Sequence, residues 1–319
     1  MRLLSLVIPV YNEEDSLREL AAQIRIALDT NHASFETIFV DDGSRDGSWT
    51  VIEELQQADP RFRGVRFRRN FGKAAALSEG FSRAKGDRIA TLDADLQDDP
   101  SEIPPMLALT EGQNSLDLVS GWKKIRNDPW HKVFPSRVFN SLVSYMTGVS
   151  LHDHNCGLKV YKTEVVREVS LYGELHRFIP VLASYRGFKV GEKVIAHRAR
   201  KFGHSKFGAN RFLRGFLDLM TVSFMTRYSQ RPQHFLGAIG LICFLGGFAG
   251  LSYLGVTWIL RLWWPESFLP LHERPMLIYA LGAVLLGAQS LAIGFLAEMI
   301  TASRFSHAQK PSVRETTPE

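Results

Sequence analysis

Residues 88–100 read RIATLDADLQDDP, an apolar run that is followed at once by acidic side chains. The run is typical of a buried strand, and the oxygen-bearing side chains of Asp93, Asp95 and Gln97 alternate just beyond its end. In open α/β sheets, ligands bind outside the carboxyl ends of the strands. Two crowded carboxylates repel each other unless a cation lies between them, and Mg²⁺ or Mn²⁺ prefers oxygen ligands of this kind. The stretch therefore predicts a divalent-metal site, with a solvated polar loop as the alternative.

Strand and helix patterns alternate four times up to this stretch. Short apolar runs rich in β-favouring residues are the predicted strands, at residues 3–10, 35–40, 64–67 and 88–92. Segments with apolar residues at helical spacing are the predicted helices, at residues 12–28, 48–57 and 74–85. This alternation favours an α/β fold with a doubly wound, mostly parallel sheet.

The pattern becomes irregular after Gly121. Three further helices are predicted on either side of this point, at residues 100–111, 136–147 and 175–185. Three further strands are predicted within residues 116–120, 151–161 and 188–195. Two basic stretches are predicted to be loops, at residues 123–135 and 197–208.

Composition narrows the possible classes of protein. Lys and Arg outnumber Asp and Glu by 38 to 33 in 319 residues, and the basic residues crowd residues 61–73, 123–137 and 198–214. Such clusters suit phosphates or an anionic membrane surface, and no nucleic-acid motif accompanies them. Two cysteines are too few for a disulfide framework or a zinc site.

The last third of the chain predicts a membrane anchor. Residues 235–259 and 276–297 contain no charged side chain, and each run is long enough to cross a hydrocarbon core of about 30 Å. Lys and Arg are sparse between the runs and abundant on their outer sides, so both termini are expected to face the cytoplasm. Residues 210–228 form an amphipathic helix, either packed on the globular part or lying in the membrane interface. Gly246 and Gly250 form a GxxxG pair that favours helix packing or a homo-oligomer.

Three motifs follow predicted strands and should meet at one edge of the sheet: residues 9–13 (PVYNE), 41–44 (DDGS) and 93–95 (DAD). Acceptor side chains in the first two suit the base and ribose of a nucleotide, with Tyr11 framing the base. The third suits a metal on the diphosphate. A dinucleotide site would need a glycine-rich turn after the first strand, which is absent here. Ordinary turn chemistry is the alternative for any one motif alone.

These motifs carry a resemblance to a known family. VIPVYNEEDSL, VDDGSRDGS, RNFGKAAAL and TLDADLQDDP are similar to the family 2 glycosyltransferases with a GT-A fold. GWKKIRND, LHDHNCGLKVY, RFIP and HRARKFGHSKFG, with the two apolar runs, resemble the polyprenyl-phosphate glycosyltransferases more narrowly. The QxxRW motif of processive synthases is missing at residues 230–232, which favours transfer of a single sugar.

The resemblance and the pattern of the chain together predict a domain plan. A GT-A catalytic domain with a Rossmann-like, mostly parallel sheet is followed by an amphipathic interface helix, a two-helix transmembrane hairpin and a disordered cytoplasmic tail. Their expected bounds are residues 1–208, 209–232, 233–302 (spans at about 235–259 and 276–300) and 303–319.

The resemblance also implies roles for individual residues. Nucleotide-sugar contacts are expected at the first two strand ends and the basic loop after the third strand, at Pro9, Tyr11, Asn12, Glu13, Asp41, Asp42 and Lys73. The metal, Mg²⁺ or Mn²⁺, is expected at Asp95, helped by Asp93 and Gln97. Lys73 reaches a phosphate or caps its own loop; both interpretations stand.

A lipid phosphate is the implied acceptor. It is mostly a dianion at neutral pH, so it needs cations more than a base. We assign this task to a basic clamp, defined as Arg126, Arg137, Arg200 and Lys206. Asp153 is the candidate base, or else orients the donor sugar or a clamp arginine. His152 and His154 flank it and are interpreted as polar surface.

The sequence thus predicts a membrane-anchored, metal-dependent, inverting glycosyltransferase of the bacterial inner membrane. It would move one sugar from a nucleotide to undecaprenyl or another polyprenyl phosphate at the cytoplasmic face. By resemblance the sugar is glucose on a uridine nucleotide, with N-acetylglucosamine, mannose, galactose or an amino-arabinose derivative as alternatives. Two alternatives remain: another lipid acceptor such as diacylglycerol, or a non-catalytic membrane scaffold that binds nucleotide sugar.

Overall fold

A computed structural model describes residues 3–31, 34–124, 130–171, 173–196, 198, 210–227, 232–267 and 269–305. The side chains of residues 130–135, 210–214, 225, 227, 232 and 301–305 are outside that description. The chain divides into two compact units, the first ending at Val222 and the second beginning at Ser223.

The first unit contains seven strands and most of the helices. The strands are β1 (Leu4–Val10), β2 (Phe35–Asp41), β3 (Phe62–Arg66), β4 (Arg88–Thr91), β5 (Leu118–Trp122), β6 (Lys159–Lys162) and β7 (Val190–Val194). The helices are α1 (Glu14–Asp29), α2 (Ser48–Ala58), α3 (Lys73–Arg83), α4 (Ile103–Ala108), α5 (Trp130–Thr147), α6 (Thr163–Glu168), α7 (Ile179–Tyr185) and α8 (Asn210–Arg227), the last of which extends into the second unit.

All seven strands form one mixed sheet in the order β3-β2-β1-β4-β6-β5-β7. Every neighbouring pair is parallel except those of β6, which runs antiparallel to β4 and β5. The prediction of a mostly parallel sheet is therefore confirmed. Because β6 is reversed, its first residue, Lys159, lies opposite Thr91, the last residue of β4.

The burial pattern of the core explains why the alternation of strands and helices could be predicted from the sequence. Every residue of β2 is buried, as expected for a strand covered on both faces. On α1, the buried face carries Leu17, Leu20, Ile24 and Leu28 at helical spacing. Each fully buried leucine contributes about 1.5–3 kcal/mol relative to an exposed one, so this face anchors α1 to the sheet.

Two local predictions were wrong. Residues 123–135 were expected to be a loop, but α5 already begins at Trp130, because the helix continues through Pro135 despite the proline's bias against a helix interior. The short helix α6 was not expected, because six residues are too few to show a helical period.

Helix α8 buries one side and exposes the other. Leu219 and Val222 pack against Val143 and Phe178 in a separate apolar cluster of the first unit. Phe216, Leu217 and Met220 are exposed. Packing on the globular unit accounts for the buried side, and the exposed apolar side retains the character of an interface helix.

The second unit is dominated by α9 (Pro232–Arg261) and α10 (Met276–Phe305), which are long and apolar enough to span a membrane. Close backbone approach occurs at Gly240 and Gly287: a Cβ at Gly240 would lie 2.9 Å from the carbonyl oxygen of Gly287, and one at Gly287 would lie 2.5 Å from the nitrogen of Phe244. The predicted pair of Gly246 and Gly250 is only half involved, because Gly246 faces open space. The GxxxG spacing thus indicated a helix that packs against another, but it did not indicate which face of that helix makes the contact.

Candidate functional site

The first two predicted motifs are joined at the carboxyl ends of β1 and β2. The backbone N–H of Asp42 donates to the carbonyl of Val10 at 2.8 Å. The N–H of Asn12 donates to Ser44 Oγ, and Asn12 Oδ1 accepts from the N–H of Arg45, both at 2.9 Å. Asn12 has φ +55°, a left-handed conformation that asparagine tolerates better than most residues. The two segments therefore form one polar rim, on which Pro9, Tyr11 and Glu13 lie.

A cavity of about 610 Å³ opens beside this rim. It is lined by Tyr11, Ser44 and an arginine group comprising Arg45, Arg66, Arg68 and Arg69. Guanidinium groups bind phosphates by paired hydrogen bonds, and a tyrosine ring suits a base, so the lining fits a nucleotide. Gly43 closes the inner wall with φ +72°, and a Cβ there would lie 2.6 Å from the carbonyl carbon of Arg69. Only glycine fits this close approach.

Asp41 and Asp42 hold the walls of this cavity. Asp41 Oδ1 accepts from the N–H of Ser44 at 2.8 Å, and Oδ2 lies 3.2 Å from Arg66 Nε. Asp42 accepts from the backbone N–H groups of Phe71 and Gly72 at 2.6 and 2.9 Å, and burial raises its pKa. Asp42, expected to contact the donor, therefore fixes the loop that leads to Lys73.

The DAD segment presents its oxygen ligands on one side. Leu92, Ala94 and Leu96 are buried, whereas Asp93, Asp95 and Gln97 are partly exposed, the alternation that the sequence predicted. Leu96 has φ +61°, a conformation that costs a non-glycine residue about 1 kcal/mol or more. Asp95 Oδ1 accepts from the N–H of Gln97 at 3.2 Å. Strain of this kind is common at ligand sites.

Lys73 contacts Asp93 directly, its Nζ lying 2.5 Å from Asp93 Oδ1. Burial acts to raise the pKa of Asp93, but the Lys73 ammonium, together with Lys123 and Lys159, outweighs it and lowers that pKa to about 2. Asp93 is therefore a carboxylate throughout the physiological range. Lys73 thus lies beside the DAD segment, and both interpretations of its role stay predictions.

The donor set fits a hard divalent cation. Two carboxylates and an amide oxygen, from Asp93, Asp95 and Gln97, are the ligand types that Mg²⁺ and Mn²⁺ prefer. No group of three or more His, Cys, Asp or Glu side chains gathers within the described part of the chain. Mg²⁺ is commonly held by one or two carboxylates together with substrate phosphates, and this donor set matches that arrangement.

Asp153 is buried on the segment that precedes β6. Its Oδ1 accepts from the N–H of Asn155 at 3.2 Å. Helix α5 holds the segment in place, because Asn140 Nδ2 donates to the carbonyl of His152 at 3.0 Å and Ser144 Oγ lies 3.0 Å from His154 Nε2. Arg137, the described member of the basic clamp, is exposed one turn before Asn140.

His154 is not the polar surface residue that was expected, since it is 1% exposed. Burial, with the nearby charge of Lys159, lowers its pKa to about 4. His152 does lie on the surface, stacked on Trp122 and bonded through Nδ1 to Glu192.

Two ion pairs fasten the residues that follow Gln97. Lys123 Nζ lies 2.6 Å from Asp98 Oδ1 in a nearly buried pair. Arg198 donates its N–H to the carbonyl of Gln97 at 3.0 Å and pairs with Asp99 through its guanidinium. The basic motif at residues 197–208 thus begins beside the predicted metal segment. Its members Arg200 and Lys206, and Arg126 of the same clamp, lie outside the described residues.

Lys159 and His176, which were missed from the sequence, form with Lys73 a mostly buried basic pocket, called the basic pocket below. It borders Asp93, and a small cavity of about 10 Å³ lies among these side chains. Lys159 interrupts the apolar strand of residues 158–161, and this single charge in a buried run was the available signal. His176 carried no sequence signal, because its place beside Asp93 depends on the packing of α7 and the turn before it.

Known proteins resemble this chain over most of its length. The family model described as Glycosyl transferase family 2 matches residues 5–170. A dodecaprenyl-phosphate galacturonate synthase from Rhizobium johnstonii is 38% identical over 315 residues, covering 97% of this chain and 90% of that protein.

Solved structures share the fold. Glucosyl-3-phosphoglycerate synthase from Mycobacterium tuberculosis, in complex with Mn²⁺, UDP and glucosyl-3-phosphoglycerate, has a TM-score of 0.55 at 16% identity, covering 70% of this chain and 80% of its own. The same enzyme with Mn²⁺ and UDP-glucose has a TM-score of 0.53 at 17% identity, covering 70% and 79%. At such identity the likeness establishes the fold alone, a GT-A-like mixed sheet with flanking helices.

Proposed function

This chain belongs to glycosyl transferase family 2, and we propose that it transfers a single sugar from a uridine diphosphate sugar to a polyprenyl phosphate. The observation that carries the proposal is the meeting of three features at one sheet edge. These are the arginine-lined cavity, the DAD segment and the segment that carries Asp153. The relative's name supports the lipid phosphate, and the neighbours crystallised with UDP support the nucleotide.

The reaction is a direct displacement. An oxygen of the lipid phosphate forms a bond to the anomeric carbon, and the bond from that carbon to the β-phosphate oxygen breaks, so UDP leaves and the configuration inverts. A phosphate monoester has its second pKa near 6 and is mostly a dianion at neutral pH, so no proton need be removed. Asp153, whose carboxylate is fixed by Asn155, then serves to orient the donor sugar or a clamp arginine rather than as a base.

Asp95, Asp93 and Gln97 would hold the divalent cation. When bound, it supplies neutralisation of the charge that develops on the leaving diphosphate. The arginine group would bind the nucleotide's phosphates, and Lys73 would add a further cation beside them. Arg137 and the other members of the basic clamp would lower the repulsion between two anionic substrates.

The two apolar helices support a place at the membrane, where the lipid acceptor lies. We place the first unit at the cytoplasmic face of a bacterial inner membrane, because the basic residues outside both spans satisfy the positive-inside rule. A homo-oligomer formed through α9 and α10 stays a prediction.

The test uses the full-length protein in detergent with undecaprenyl phosphate, Mn²⁺ or Mg²⁺ and a panel of radiolabelled UDP-sugars. We expect label in the organic phase that disappears with a chelator. Asp95→Ala should lower kcat/KM by about 100-fold or more, because it removes charge neutralisation at the leaving group. Asp87→Ala is the matched control, since Asp87 is exposed just before the opposite end of β4.

Two other results would contradict the proposal. Donor binding by calorimetry without transfer to any lipid would favour the scaffold. Transfer to diacylglycerol but not to undecaprenyl phosphate would favour the other lipid acceptor. Full activity of Asp95→Ala would remove the DAD segment from the mechanism.

A further inference from the structure

The basic pocket is placed by the reversed strand β6. Lys159, the first residue of β6, pairs in register with Thr91, and the next two residues along the chain from Thr91 lead to Asp93. The close packing is visible at Gly157, where a Cβ would lie 2.6 Å from the Asp93 carboxylate. The pocket therefore lies directly behind the DAD segment, which the proposed function places at the sugar diphosphate.

The charge of this pocket is incompletely paired. The side chain of Lys159 is 4% exposed, its Nζ donates to the carbonyl of Cys156, and it forms no ion pair with a carboxylate among the described residues. A buried ammonium offers three donors, so one carbonyl leaves it under-satisfied. His176 Nδ1 is also buried and finds no hydrogen-bond partner in the described part of the chain. Unpaired buried groups of this kind are costly unless a ligand completes them.

The pocket has an outer and an inner end. Its outer member Lys73 and the adjoining Asp93 are 34% and 35% exposed, whereas Lys159 at the inner end is almost fully covered. The proposed function places the donor at the outer end. The cavity of about 10 Å³ admits one water-sized group. A carboxylate oxygen has that size, and its charge complements the two lysines.

We propose that the basic pocket binds the carboxylate of an acidic sugar, so that the donor is a nucleotide-linked hexuronate rather than a neutral hexose. This inference rests on the proposed function, because it assigns the pocket to the donor of that reaction. It replaces the glucose expected by resemblance. The relative of 38% identity is named for galacturonate, whose C6 is a carboxylate where galactose has a hydroxymethyl group.

Rejection of the neutral sugar follows from the same geometry. A hydroxymethyl group in place of the carboxylate leaves Lys159 buried without a counter-charge. Sites built around a buried polar partner discriminate far more strongly against an analogue that lacks it than apolar pockets do. A water molecule that merely fills the cavity, with Lys159 holding the carbonyl of Cys156, is the competing explanation.

The experiment compares paired donors on the full-length protein with undecaprenyl phosphate. UDP-galacturonate and UDP-galactose differ only at C6, as do UDP-glucuronate and UDP-glucose. For at least one pair, we expect wild-type kcat/KM to favour the acidic donor by about 100-fold or more. Lys159→Met should reduce that ratio to within about tenfold. The reduction should come from a lower kcat/KM with the acidic donor, while kcat/KM with the neutral donor is retained.

Lys162→Met is the matched control, because Lys162 is on the same strand and pairs with Asp117 at its far end. It should keep the wild-type ratio. An equal loss with both donors in Lys159→Met would overturn the inference in favour of the structural role, and so would a wild-type enzyme that prefers the neutral donor of both pairs.

Calorimetry on the wild-type protein gives a second readout that does not depend on folding of the variant. Tighter binding of UDP-galacturonate than of UDP-galactose, or of UDP-glucuronate than of UDP-glucose, supports the pocket, and equal binding within both pairs overturns it. Absence of transfer from every donor would contradict the proposed function, whereas transfer without discrimination at C6 contradicts the pocket alone.

Discussion

The burial of His154 could not be predicted from its local sequence. Two histidines flank Asp153, and nothing in their local sequence distinguishes them. The structure places His152 on the surface and buries His154 against Ser144 of α5. Burial, with the charge of Lys159, holds the imidazole neutral, with a pKa lowered to about 4.

A pH dependence of stability follows from this residue. The unfolded chain binds a proton at His154 near pH 6.5, whereas the folded protein binds it only near pH 4. The contribution of His154 to the free energy of unfolding is therefore fully present above about pH 6.5. It is lost progressively as the pH falls toward 4, at up to about 1.4 kcal/mol per pH unit. His154→Gln should show a smaller fall in Tm between pH 7 and pH 5 than the wild type.

Thermal unfolding in detergent measures this difference directly. His272→Gln is the control, because the side chain of His272 is 82% exposed and should keep the wild-type dependence. An unchanged pH dependence in His154→Gln would show that other groups govern acid stability.

At the same scale, the sequence predicted the residues whose role depends on near neighbours along the chain. The alternation of Asp93, Asp95 and Gln97 follows from strand geometry alone. Lys159 and His176 could not be placed beside Asp93, because their approach depends on the reversal of β6 and the packing of the turn before α7. The hydrogen bonds from the backbone of Phe71 and Gly72 to the Asp42 carboxylate could not be predicted either, because that loop is remote in sequence, and the donor contact of Asp42 stays a prediction.

At the scale of the element, the helical hairpin α9–α10 is fastened by backbone contact. Gly240 and Gly287 allow the two helices to touch, whereas Gly246 and Gly282 on the same helices face open space. A GxxxG spacing selects one side of one helix. It does not say which side meets the partner helix: Gly250 meets Ala280, whereas Gly246 faces open space, and a homo-oligomer through this pair stays a prediction.

Substitution of these glycines separates contact from helix propensity. Gly287→Leu should destabilise the hairpin by about 1–3 kcal/mol, because the new side chain meets the backbone of Phe244. Gly282→Leu brings the same gain in helix propensity on the same helix, but a Cβ at this position meets no neighbouring atom in the described part of the chain. Chemical or thermal unfolding in detergent should rank Gly287→Leu below the wild type and Gly282→Leu at or above it. Equal behaviour of the two variants would mean that the helices do not meet at Gly287.

For the whole molecule, the distribution of basic residues predicts a topology. The connector between α9 and α10 is poor in Lys and Arg, and the flanking sequence outside each span is rich in them. The globular unit and the tail should therefore lie on the cytoplasmic side, with the connector outside.

Single cysteines in a background without Cys156 and Cys243 would reveal the topology. In intact cells, an impermeant maleimide should label Ser267→Cys in the connector but not Ser312→Cys in the tail. After permeabilisation both should react. Labelling of the tail in intact cells, with protection of the connector, would invert the topology and remove the active site from the side where UDP-sugars are made.

The reversed strand β6 has a further consequence for how such a protein can diversify. Segments that line the nucleotide cavity leave the sheet from the parallel strands β1, β2 and β3. The segment that carries Asp153, and Lys159 itself, enter the sheet through the antiparallel strand. Under the two proposals, the nucleotide is bound by residues up to Asn70, whereas the sugar is selected by Lys159 and His176 together with Lys73. A new sugar could then be acquired by changes at the two later residues while the cavity keeps its nucleotide.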